Sequence, residues 1–253
     1  MPRAPRMQSS FDLYHATARG AGRQIIFEDN DGRQYFLDRA KRVFDDNGAS
    51  VLAYCLMSNH VHLLLQIDFG ALPKAMKSVL SDYARWFNSK YGHVGHVFQG
   101  RYFSEPINDE AYLLDVVRYI HLNPQEAGIV QAGDYEWSSY HEYMSRAKIC
   151  DTNFVLDLFG NKQAFVSFHE EDKPAPIRLT EHGRSGRLDD EQARKVADRI
   201  VSPNTATSLK TLTKTDRDEQ LGKLLVFGFS IRQIERLTGI GRSVIYNASR
   251  KLP

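Results

Sequence analysis

Apolar residues recur along the first half of the chain with two different periods, and their succession outlines a fold. The stretch Phe11 to Ala18, FDLYHATA, reads as a strand. From Asp31 to Asn47, Phe36, Leu37, Ala40, Val43 and Phe44 fall at helical spacing, and Asn47-Gly48 is a stop signal. Two apolar runs follow, Ser50 to Met57 and His60 to Ile67, joined by Ser58-Asn59, the pattern of a β-hairpin. A second helix is predicted from Ala71 to Lys90, with Met76, Val79, Leu80, Tyr83, Ala84 and Phe87 on one face. Val97 to Phe103 reads as a fourth strand. A third helix, Asp109 to Asn123, is predicted to stop at Pro124. The order β-α-β-β-α-β predicts an α+β fold: a ferredoxin-like antiparallel sheet with helices on one face, followed by a further helix.

Beyond this core the pattern changes. Tyr135, Trp137, Tyr140 and Tyr143 form an aromatic cluster expected to pack on the first domain. Residues 170–190 are polar and rich in Pro and Gly, as linkers are. The expected division is 1–150 for the sheet domain, 151–209 for a helical and linker region, and 210–253 for a small helical unit. In that last unit, one helix runs through Leu221, Leu224, Leu225 and Phe227 to Gly228. Ser230 N-caps a second bearing Ile231, Ile234 and Leu237, and Thr238-Gly239-Ile240-Gly241 makes a tight turn. A third helix opens at Arg242 or Ser243 with Val244, Ile245 and Ala248 inward, the layout of a helix-turn-helix.

Charge sharpens this division. Residues 1–150 hold 16 Lys and Arg against 17 Asp and Glu, whereas residues 210–253 hold 9 against 4. The positive excess sits on the helical unit, where Arg242, Ser243, Tyr246, Asn247, Arg250 and Lys251 face outward on the third helix and Arg232 lies on the second. Those residue types suit phosphate and major-groove contact, although a bundle packed on the core would show the same periodicity. No apolar run is long enough to span a membrane, and the basic start lacks a signal-peptide core, so a cytoplasmic protein is expected. Cys55 and Cys150 form no CxxC pair, which argues against a disulfide framework or a cysteine-rich zinc site.

Two short motifs can carry chemistry. In SNHVHLLL, His60 and His62 are two apart in a strand and share a face. They are either a pair of ligands for one divalent ion or two histidines on a wet face. In YIHLNP, Tyr119 and Asn123 are one helical turn apart. Asn123 offers an amide oxygen to a hard cation and Tyr119 a phenol; the plainer reading is a packed tyrosine and a helix-end asparagine. His121 lies on another face and reads as structural. Arg101, beside Gly100, is a candidate phosphate contact or a solvated arginine. His93 and His96 read as polar loop residues, and Arg85-Trp86 as packing.

The segments SNHVHLLL, GHVFQGRYFSEPI, YLLDVVRYIHLNPQEAGIV and YEWSSY, in this order and spacing, resemble the REP-associated tyrosine transposases, members of the single-tyrosine HUH transposases. The opening FDLYHATARGAGRQIIFEDNDGRQYFL is similar to their N-terminus, so the resemblance covers roughly residues 8–145. It implies an HUH nuclease core, Mg²⁺ or Mn²⁺, and a 5′-phosphotyrosine intermediate on single-stranded or hairpin DNA. It further implies Tyr119 as nucleophile and His60 and His62 as ligands. Asn123 stands where more distant HUH transposases carry Gln, and would complete the ligand set. The helical unit is outside the resemblance, and duplex contact there rests on its own residues. Either a monomer or a homodimer is compatible with the sequence. Two other readings compete: a non-catalytic DNA-binding regulator descended from a transposase, and a zinc hydrolase using His60, His62 and a water. The latter lacks a general-base carboxylate near the histidines.

Overall fold

The computed structural model describes residues 6–171, 194, 197, 198, 200–226, 229 and 231–249. The chain forms two compact units, Met1–Asp172 and Lys173–Pro253. In the first, four strands pair in the order β2-β3-β1-β4: β1 Leu13–Arg19, β2 Ser50–Met57, β3 His60–Gln66 and β4 Phe103–Ile107. Every pairing is antiparallel. With α1 Asn30–Asp46 and α2 Leu72–Tyr91 between strands, this is the ferredoxin-like arrangement.

Alternation along the strands sorts residues between the two faces. Tyr14, Ala16, Ala18, Val61, Leu63 and Leu65 share one buried cluster with Phe36, Phe44, Met76, Val79 and Tyr83 of α1 and α2. The intervening residues, among them His15, Thr17, Arg19, His60 and His62, therefore point to the opposite face. That face is covered by the next helix, α3 Glu110–Glu126, whose Tyr119 ring meets those of His15 and His62. The sheet is thus enclosed by α1 and α2 on one side and by α3 on the other.

Two expected boundaries are corrected. The fourth strand is not Val97–Phe103 but Phe103–Ile107. Phe98 makes only an isolated bridge to Gly20, and Gly100, at φ 68°, turns the chain before pairing with β1 begins. Pro106 is tolerated because β4 is the outermost strand of the sheet. Nor does Pro124 stop α3: it lies buried inside the helix, which runs on to Glu126. The helix closes as Ala127, Gly128 and Ile129 donate to the carbonyls of Asn123, Gln125 and Pro124, with Gly128 at φ 69°.

Past residue 144 the first unit continues through α5 Thr152–Phe159 and α6 Lys162–Glu170, after the short α4 Tyr140–Met144. They belong to it because of buried contacts: the Tyr143 and Phe165 rings stack at 4.7 Å, and His121 of α3 bonds His169 of α6 at 2.9 Å. The first unit therefore extends beyond residue 150. In the second unit, α7 Lys214–Val226, α8 Ile231–Thr238 and α9 Arg242–Ser249 close over Leu221, Leu224, Phe229, Ile234, Leu237, Ile245 and Ala248. Ala197, Val201, Ala206 and Leu209 belong to the same cluster. The turn between α8 and α9 holds Gly239 at φ 64°. The expected helix end at Gly228, the N-cap at Ser230, and Arg250 and Lys251 lie outside the described residues, as does the 172–193 stretch of the linker. Among the described residues no helix is long and apolar enough to cross a membrane.

Candidate active site and nucleic-acid interface

The site is assembled by strand register. β3 places Thr17 and Cys55 on either side of His62, and Arg19 and Met57 on either side of His60. The two histidine rings are 5.0 Å apart, edge to face. Tyr119 descends from α3 with its ring 5.5 Å from that of His62 and 6.0 Å from that of His15. Asn123, one turn further along α3, donates through Nδ2 to the carbonyl of Tyr119 at 2.8 Å. Its amide also favours the charged form of both His60 and Tyr119. The structure thus brings together the four residues expected at the site, His60, His62, Tyr119 and Asn123.

Their surroundings set their charge. Burial holds His60 down to about 4, with the Arg19 guanidinium pushing the same way and Asn123 opposing. His60 is a neutral imidazole at neutral pH, the form that ligates metal. Burial pushes the Tyr119 phenol up to about 12; Asn123 and Arg19 pull it back, and Glu126 and Cys55 raise it further. At pH 7 a phenol with that pKa is ionised in about one molecule in 10⁵. Two imidazoles and an amide oxygen make a donor set that fits a divalent ion and leaves positions for phosphate oxygens.

Three residues escaped the reading of the sequence: His15, Thr17 and Arg19. His15 is fully buried, and its Nε2 lies 2.9 Å from Nδ1 of His62. Thr17 Oγ1 is 3.3 Å from the same nitrogen. A signal was available: in LYHATAR every second residue is polar, a stripe along one face of a strand otherwise buried on both. Arg101 is exposed in the loop before β4. His93 bonds Asn88 at 3.0 Å, and Trp86 stacks on Tyr35 at 4.5 Å, so both serve packing. His121 is structural too, buried between His169 and Ser139.

In the second unit, Arg242, Ser243, Tyr246 and Asn247 are exposed on α9, opposite the buried Ile245 and Ala248. Arg242 pairs with Glu235 of α8 at 2.5 Å. Arg232 falls in α8, and its side chain is outside the described residues.

Residues 10–123 match the family described as Transposase IS200 like. This segment is similar to the IS200-like transposases. It begins just before β1 and ends on Asn123, so it contains each residue of the site and excludes the second unit. The domain is similar to a putative REP-associated tyrosine transposase of Haemophilus influenzae, 30% identical over 103 residues. That alignment covers 36% of this chain and 58% of the relative, so the chain spans little more than half of the curated protein it matches. Among solved structures, the chain is similar to a REP-associated tyrosine transposase bound to a REP hairpin, at 20% identity and a TM-score of 0.46. That match covers 60% of this chain and 96% of the other. A putative transposase from Deinococcus radiodurans is similar at 20% identity and a TM-score of 0.35, over 47% of this chain and 95% of the other.

Proposed function

We propose that the protein cleaves and rejoins single-stranded or hairpin DNA through a covalent 5′-phosphotyrosine on Tyr119, as a single-tyrosine HUH transposase. The observation that carries this reading is the seating of Tyr119 against His62, with Asn123 one turn along the same helix and bonded to the Tyr119 carbonyl. His60, His62 and Asn123 would hold Mg²⁺ or Mn²⁺, which when bound supplies Lewis-acid polarisation of the scissile phosphate.

The remaining chemistry belongs to the chain. The Tyr119 oxygen attacks phosphorus; the new O–P bond forms as the bond to the 3′ oxygen breaks. The phenolic proton is lost and the departing 3′ oxygen gains one, so the exchange is balanced. Rejoining is the reverse attack by a 3′ hydroxyl, and the bond energy is retained in the adduct. Arg19 favours the anionic form of Tyr119 and stands across from His60, where a scissile phosphate would also meet its charge.

The exposed face of α9 supports a second contact, with duplex DNA, through Arg242, Ser243, Tyr246 and Asn247. A regulator that only binds DNA would need that face and not the site. The two readings separate in one experiment: single-stranded and hairpin oligonucleotides are incubated with the protein and Mn²⁺, then run on a denaturing gel. A covalent adduct that EDTA abolishes and Mg²⁺ or Mn²⁺ restores is the expected result. Duplex binding without any adduct would leave the regulator.

A further inference from the structure

The buried imidazole of His15 has no part in the chemistry above, yet it is in direct hydrogen-bond contact with a proposed ligand. Its ring lies edge to edge with that of His62, the centroids 5.1 Å apart and the planes 16° from parallel, with Nε2 to Nδ1 at 2.9 Å. It is fully buried, and Thr17 Oγ1 flanks the pair, 3.5 Å from His15 and 3.3 Å from His62.

A neutral imidazole carries one proton on one of two nitrogens. Two arrangements therefore satisfy the contact. If His15 donates, the proton of His62 must sit on its Nε2, and that ring has no lone pair left for an ion. If His62 donates from Nδ1, its Nε2 carries the lone pair and the ring can ligate. We propose that His15 is a positioning residue for the metal site: it accepts the Nδ1 proton of His62 and so fixes the tautomer and ring plane in which Nε2 ligates. The inference rests on the metal reading above. Carbonyl or carboxylate oxygens commonly fill this role beside a metal-bound histidine. Here a second imidazole fills it, and it is rigid because it sits inside the central strand β1, bonded on both sides.

Partners of this kind change metal affinity by about 10–100-fold when lost. His15→Phe keeps an aromatic ring at this position but removes the acceptor; His15→Gln supplies an amide oxygen in its place. Mn²⁺ binding to the full chain, followed by electron paramagnetic resonance of the free ion, should weaken by about 10–100-fold in His15→Phe and recover in part in His15→Gln. Long-range ¹H–¹⁵N spectra of the metal-free wild type should show the His62 proton on Nδ1, a readout that needs no variant to fold. Wild-type affinity in His15→Phe, or a proton on Nε2 of His62, overturns the role of His15 while leaving the metal site standing. Failure of the wild type itself to bind Mn²⁺ overturns the metal reading and this inference with it.

Discussion

Acidification below about pH 6.5 should loosen the helix that carries Tyr119. The reason lies in a chain of hydrogen bonds behind α3. The Tyr54 N–H donates to Ser139 Oγ at 2.8 Å, Ser139 lies 2.8 Å from His121 Nε2, His121 Nδ1 lies 2.9 Å from His169 Nε2, and His169 Nδ1 lies 2.8 Å from the Phe165 carbonyl. The Phe165 carbonyl can only accept, so with neutral rings the direction is set from that end: His169 donates to Phe165, His121 to His169, and the Ser139 hydroxyl, which also lies 3.3 Å from the Tyr54 carbonyl, to His121. Each imidazole is neutral, and an added proton would place two N–H groups, or an N–H and a hydroxyl proton, against each other. Burial accordingly holds His169 down to about 4 and His121 well below its ordinary value.

The sign follows from linkage. The unfolded chain, with ordinary imidazoles near 6.5, binds more protons than the folded one, so stability is lost as pH falls from about 6.5 toward 4. At pH 5 an unfolded His169 is about 97% protonated and the folded one about 10%, a difference of about 2 kcal/mol. His121 and His60 act in the same direction. Asp29, held down to about 2 by its bond from the Gly32 N–H and by Lys90 and Tyr91, enters only below about pH 4. Both tryptophans, Trp86 and Trp137, lie in the first unit, so their fluorescence follows it alone. Urea unfolding in EDTA should lose at least about 2 kcal/mol between pH 7.5 and 5.0. In His169→Gln, which keeps an acceptor for His121 but does not titrate, the loss should shrink by about 2 kcal/mol, whatever its stability at pH 7.5. Equal stability of the wild type at both pH values, or an undiminished loss in the variant, would refute the hydrogen-bond chain.

Tyr119→Phe should form no covalent adduct on the denaturing gel while unfolding within about 1 kcal/mol of the wild type; an adduct in that variant moves the nucleophile elsewhere. Arg19→Ala should slow adduct formation and shift the rise of rate with pH to higher pH, because the cation that favours the tyrosinate is gone. Arg19→Lys should recover part of that loss, and a profile identical to wild type in Arg19→Ala would remove Arg19 from the site. A chain ending at residue 172 should still form the adduct but bind a duplex more weakly, with a shallower fall of log affinity against log salt, as anisotropy at several salt concentrations would show. The cut belongs there and not near residue 209, because Ala197, Val201, Ala206 and Leu209 are core of the second unit and would be left without it. Equal salt slopes would mean that α9 reads no DNA.

What the sequence disclosed of this site was what lies within one element. His60 and His62 share a face because they are two apart in a strand, and Tyr119 and Asn123 share one because they are four apart in a helix. That the two pairs meet depends on α3 lying across the sheet face that α1 and α2 leave uncovered, which no local pattern encodes. His15, Thr17 and Arg19 stayed hidden for the same reason. Their polar stripe gains meaning only when β1 is known to pair with β3, setting Thr17 beside His62 and Arg19 beside His60. Val97–Phe103 misled because apolar residues recur on both sides of Gly100 as they would along a strand, whereas Gly100 takes a positive φ and pairing begins afterwards. Pro124 misled because a proline ends most helices; here the C-terminal bonds from residues 127–129 carry the helix past it.

The site also holds a tension that the fold itself eases. A tyrosine that attacks phosphorus must give up its proton, yet Tyr119 is seated where burial pushes that proton's pKa up to about 12. Exposing it would lower the barrier to ionisation, but would also free the ring to swing away from the phosphate; effective concentration would be lost with it. The fold keeps the ring packed across His15 and His62 and sets compensating groups around the oxygen: the Asn123 amide and the Arg19 charge both favour the anion. The same Arg19 charge holds His60 neutral and so available to a cation. One arginine at the end of β1 thus acts on the proposed nucleophile and the proposed ligand in the directions that the proposed strand transfer would require. A divalent ion at His60 and His62 would add to its pull on the phenol, so occupancy of the ligand set and activation of the nucleophile are coupled through the same few ångströms of sheet surface.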